Sequence, residues 1–181
     1  MDNTSENLEI EDQSFVFPIE DQKLISTSQF LLLSFGTLGL YLIWWFYKEW
    51  RFFKEKDNLD IHPAMRAIFS IFFIYSLFTR ILDYAKDYGY SRNYSPGLNF
   101  TVMILFNLCS GLRDPFSLIS LGAILLNIAP FEASNYAKTQ DPSFNSEYQS
   151  SLSMRQLILL IVGIACWILI IVGLLMGEDA T

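Results

Sequence analysis

Residues 157–176 read LILLIVGIACWILIIVGLLM, a run without one charged side chain. At ~1.5 Å of rise per residue this run makes a helix of about 30 Å, the thickness of a bilayer hydrocarbon core. The expectation is a transmembrane helix, and the rest of the chain is therefore read with lipid as the solvent. The composition agrees. Among 181 residues there are 16 Phe, and 52% are hydrophobic, more than a soluble domain of this size usually carries.

The net charge is −7, but the acid lies outside the apolar runs. Asp2, Glu6, Glu9, Glu11, Asp12, Glu20 and Asp21 all precede the first run. No basic surface suits a nucleic acid, so nucleic acid is excluded as a partner. The acidic start has no positively charged region before an apolar stretch, so no cleaved leader is expected. Cys109 and Cys166 sit in apolar runs and read as small packing residues. Neither they nor His62 has the ligand spacing of a metal site, so no metal or other cofactor is expected.

The fold class read from the sequence is all-α, an integral membrane bundle of about four helices, with five as the alternative. Residues 1–23 form an acidic, partly disordered tail. Residues 24–177 form one transmembrane domain, and 178–181 a short acidic end. The helices are expected at about 27–47, 63–88, 98–130 (broken) and 153–176. In the first, Ser34, Gly36, Thr37 and Gly39 offer small residues for close helix contact. Asp60 reads as a helix cap ahead of Pro63. In the third, the SGLRDP stretch separates two short apolar runs. These read either as a pair of short helices with Arg113 and Asp114 at a turn, or as one broken crossing buried in protein. Residues 131–155 read as a polar loop, with room for one helical turn continuing from Pro130.

Two groups of residues are candidates for function. Trp44, Trp45, Lys48, Trp50, Arg51 and Lys54 interleave aromatic and basic side chains, as segments at a lipid headgroup surface do. Arg66, Arg80, Asn107, Arg113, Asp114 and Asn127 are polar groups within or beside apolar runs. Such groups need partners and often mark sites. Arg80 is expected to pair with Asp83 or Asp87 along its helix, and Asn107 and Asn127 to hydrogen-bond between helices. No nucleophile, phosphate-loop or zinc-protease motif is present, so no catalytic residue is assigned and an enzyme is disfavoured.

Lys and Arg concentrate at Lys48, Arg51, Lys54 and Lys56 after the first helix, against Lys23 before it. The positive-inside rule then puts that loop in the cytoplasm and the N-terminus outside.

The stretch from Lys23 onward resembles a family of small bacterial inner-membrane proteins of unassigned function. The resemblance rests on Thr37, Gly39, Tyr41, Trp45, Phe46, Tyr47, Lys48 and Trp50, followed by Pro63, Arg66, Ala67 and Phe69. Farther on, Arg113, Asp114 and Pro115, the PFEASNYA stretch at 130–137, and Gly163 to Trp167 fit the same layout. Ala64 departs from the bulky residue usual after the proline. The resemblance implies a multi-pass protein of the bacterial cytoplasmic membrane and brings no activity with it.

The functional expectation is a structural or accessory component that binds lipid or a membrane-protein partner, including a second copy of itself. A small transporter or channel subunit is the alternative. A lipid-modifying enzyme, with Asp83, Asp87 or Asp114 as base, comes last.

Overall fold

Ser26 caps the first helix reciprocally with Gln29: the Gln29 amide donates to the Ser26 hydroxyl at 3.2 Å, and the Ser26 amide donates to Gln29 Oε1 at 3.0 Å. The helix it opens, α1 (Thr27–Gly36), is short. A computed structural model of the chain describes residues 22–112 and 116–178. In it the expected helix 27–47 is two helices folded back on each other. The Gly39 amide donates to the Ser34 carbonyl at 2.7 Å. Leu38 and Gly39 take left-handed backbone, at φ 53° and 88°. That conformation ends α1, and the chain reverses into α2 (Leu40–Lys56). The Phe30 ring lies 5.4 Å from Trp45, whereas a continuous helix would hold residues fifteen apart at about 22 Å.

The reversal changes what the first apolar run does. Ten residues of α1 cover about 15 Å, half of a hydrocarbon core. Its two legs start and finish at the same end of the molecule, where Lys48 Nζ donates to the Lys23 carbonyl at 3.4 Å. Lys23 and Lys48 therefore lie together at one end of the molecule rather than at the two ends of a single helix.

The expected helix 63–88 is also broken, at Phe69, whose ψ of 37° is not helical. It divides into α3 (Pro63–Ile68) and α4 (Ser70–Asp87). His62, rather than Asp60, occupies the cap position of α3. α4 runs beside α2 in the same direction: Phe46 meets Phe78 at 6.4 Å and Phe52 meets Tyr84 at 5.4 Å. Parallel neighbours need a return leg, which α3 and the residues before it supply.

α5 (Pro96–Leu108) and the 3-10 segment Phe116–Asn127 lie antiparallel. Asn99 Nδ2 donates to the Leu126 carbonyl at 3.0 Å, and Gly122 faces the Phe106 ring. The two apolar runs of the third region thus lie side by side as an antiparallel pair. Arg113 and Asp114 fall outside the described residues. The 3-10 segment runs straight into α6 (Ile128–Gln140), so the first part of the expected loop 131–155, as far as Gln140, is helix. A short parallel pair, β1 (Gln22–Leu24) and β2 (Ser146–Tyr148), follows. It has no clear alternation in the sequence.

The last helix, α7 (Met154–Glu178), matches its expectation closely. Ser153 and Gln156 cap it reciprocally. The chain is mostly helical. Among the described residues two helices are long and apolar enough to cross a bilayer, Phe116–Gln140 and Met154–Met176.

The molecule has two unlike ends. At one lie β1, β2, the start of α7 and the C-termini of α2, α4 and α6, where Lys56 pairs with Asp141 and Lys138 with Glu49. At the other, large apolar side chains are bare: Ile68, Phe72, Leu108 and Phe116 are each at least 60% exposed. Between them sits an aromatic core in which Phe131 stacks on Phe30 at 4.1 Å and meets Trp45 at 5.9 Å.

Candidate functional site

α2 carries a stripe of aromatic and basic residues, and the helical period divides it between two faces. Trp45 and Trp50 point inward and are 4% and 1% exposed. The Arg66 guanidinium lies over the Trp50 ring at 4.5 Å and over Phe73 at 5.1 Å, a cation–π arrangement. Two of the expected interface aromatics are therefore core residues. Lys54, half-buried, lies outside the groove that the outer face forms.

On that outer face, Trp44, Tyr47, Lys48 and Arg51 line a groove of about 570 Å³. Its other walls come from Lys23 on β1 and from Met154, Arg155 and Gln156 at the start of α7. Among the described residues, four basic side chains and one carboxylate line it, Glu55, which Arg51 Nε holds at 2.8 Å. Gln149 also lines the groove, and its Oε1 is buried without a hydrogen-bond partner. Below lies an apolar groove of about 370 Å³, bounded by Leu40, Ile43, Ala64, Ala67, Ile68 and Leu159. Trp44 and Tyr47 belong to both grooves.

Behind this face runs a buried polar column between α2 and α6. Lys138 Nζ sits 2.7 Å from Glu49 Oε1, and the Ser134 hydroxyl donates to Glu49 Oε2 at 2.8 Å. The Glu49 and Lys138 side chains are each 3% exposed. Lys138 also lies 4.5 Å over the Phe52 ring. One turn on, Asp141 accepts from Lys56 Nζ at 2.9 Å, from the Tyr84 hydroxyl at 2.9 Å, and from the Ser143 amide and hydroxyl. Burial alone would raise the Asp141 carboxyl's pKa. The Ser143, Lys56 and Tyr84 hydrogen bonds outweigh it and hold the group well below the usual carboxylate range. Every oxygen in the column is taken, so it fastens helices.

The other polar candidates find different partners from those expected. Arg80 pairs with Asp57 on the loop after α2. Asn107 donates to the Met103 carbonyl at 2.8 Å, and Asn127 to the Ala123 carbonyl at 3.0 Å, each one turn back in its own segment. Asn99 makes the bridge between segments instead.

Sequence reasoning missed Lys23 and Arg155, because nothing local links a strand near residue 23 to a helix start near 155. It also missed Ser134 and Lys138. There a signal existed: Phe131, Ser134 and Lys138, flanked by Ala133 and Ala137, share one helical face after Pro130.

Compared with known proteins, the chain matches no family model, no curated protein and no solved structure.

Proposed function

We propose that the protein is an integral membrane protein of the structural or accessory kind. The observation that carries this is the surface of α7: its apolar window is long enough to cross a bilayer, yet almost none of it is buried. It touches the bundle chiefly where Gly163 meets Gly36 and Thr37, and where Trp167 Nε1 donates to the Phe35 carbonyl at 3.0 Å. A helix left so bare needs lipid or a partner's helices around it.

In this reading α7 crosses the membrane. α5 and Phe116–Asn127 dip through it as a pair, and α1 with α2 enters only about half-way. The ion-paired end stays at the headgroups. That end gathers Lys23, Lys48, Lys56, Arg92, Lys138 and Arg155, so positive-inside bias puts it in the cytoplasm. Gln22 is then cytoplasmic and Glu178 faces the other side. The bacterial cytoplasmic membrane is the expected home, on the resemblance given above.

Membrane fractions washed at alkaline pH should retain the protein. A cysteine placed on the bare face of α7, at Ile161 or Leu169, should cross-link to a partner or to a second copy in native membranes. Release by the wash would overturn the membrane reading. Solute flux into sealed liposomes that falls with Arg66→Ala would overturn the accessory reading in favour of a transporter.

A further inference from the structure

We propose that the two adjoining grooves form one site for a single anionic glycerophospholipid, an inference that rests on the membrane reading above. The phosphate lies among Lys23, Lys48 and Arg155, and one acyl chain runs along Ile43, Ala64 and Leu159.

Three features carry it. Among the described residues, the upper groove holds Lys23, Lys48 and Arg155 beyond the Arg51–Glu55 pair, an excess that attracts a phosphate and not a zwitterion of balanced charge. The cations come from three elements, β1, α2 and α7, so the site exists only in the folded chain. Directly below, the apolar groove spans Leu40 to Tyr47 on α2, about 10 Å along the axis. Polar above and apolar below is the profile of a lipid and not of a soluble anion. Trp44 and Tyr47 stand at the junction with an apolar body and a polar tip, the side chains that prefer this depth.

Phosphatidylglycerol, whose one net negative charge sits on its phosphate, represents the class.

The test is native mass spectrometry of the full chain in neutral detergent. It is titrated with phosphatidylglycerol, with phosphatidylcholine of the same chains, and with inorganic phosphate. Phosphatidylglycerol should bind at least tenfold more tightly than phosphatidylcholine. Lys48→Gln with Arg155→Gln should remove most of that difference and leave phosphatidylcholine unchanged. Ala64→Trp, which fills the apolar groove from the surface, should weaken phosphatidylglycerol several-fold with Lys23, Lys48 and Arg155 in place. Should the double variant fail to fold, Lys23→Gln on its short strand should still weaken binding about threefold.

Equal binding of the two lipids, or a preference that survives the double variant, overturns the proposal. Competition by inorganic phosphate at the lipid's own concentration also overturns it, because the site would then hold a free anion. A protein that resists the alkaline wash but shows no lipid preference defeats this inference alone. A protein that washes off defeats the membrane reading with it.

Discussion

Gly163 of α7 packs directly on Gly36 at the tip of the α1–α2 hairpin. A Cβ built on Gly163 would collide with the Gly36 carbonyl oxygen and lie 2.6 Å from Thr37 Cα. Both obstacles are backbone and cannot swing aside. Gly163→Ala should therefore cost about 2 kcal/mol, in the range of core overpacking. Gly173→Ala should be silent, since nothing lies within 4 Å of its added Cβ. Thermal unfolding in detergent of the two variants checks the contrast. Equal losses would show that α7 does not dock at Gly163.

The tip itself depends on left-handed backbone at Gly39, with φ 88° and open space around it. A side chain there meets no clash and pays only for its conformation. Gly39→Ala should lose about 1 kcal/mol, and Gly39→Val more. Gly39→Asn should lose less than either, because Asn tolerates this region. Chemical denaturation of the three variants should give that order. A larger loss for Asn than for Val would mean that space, not backbone angle, sets the residue.

This turn also shows where sequence reading stops. Hydropathy reports transfer from water and cannot see direction, so LLLSFGTLGLYLIWWF looks the same as a crossing or as a hairpin. Gly36 and Gly39 were legible as small residues for close contact, and Gly36 does meet α7. Their second use, to end one helix and start another, competes for the same letters. The same blindness joined α3 to α4, where no proline or glycine marks Phe69. α7 was legible because its length and composition admit one structure. The basic face of α2 was legible through Lys48 and Arg51, whereas the strand and helix that complete the groove are brought in by tertiary contacts.

Buried Glu49 and Lys138 should behave as a unit. Removing one partner strands a charge in the core, and Lys138→Met alone should cost about 3 kcal/mol. With Glu49→Leu added, no charge remains, and most of that loss should return. Ser134→Ala should cost about 1 kcal/mol, because Lys138 still holds the carboxylate. A denaturant double-mutant cycle measures the coupling. Additive losses for the two charge variants would show that the pair is not closed in solution.

Asp141 predicts how stability responds to acid. Its carboxyl is held well below the usual range when folded, chiefly by Ser143, Lys56 and Tyr84 against the opposing effect of burial. In the unfolded chain it titrates near the ordinary value of about 4. A depressed folded pKa contributes stability that is complete above the unfolded value and is lost as pH falls below it. The wild type should therefore weaken from about pH 5 downward. Asp141→Asn keeps the shape but gives up the charge, and should be about 2 kcal/mol less stable at pH 7. Its curve should run flatter in acid, so the gap between the two proteins closes as pH falls. Lys56→Met should remove part of the same slope while leaving Ser143 in place. Thermal unfolding between pH 7 and pH 3 reads both effects, and a gap that stays constant with pH would show that the carboxylate's charge is not what fastens α6 to α2 and α4.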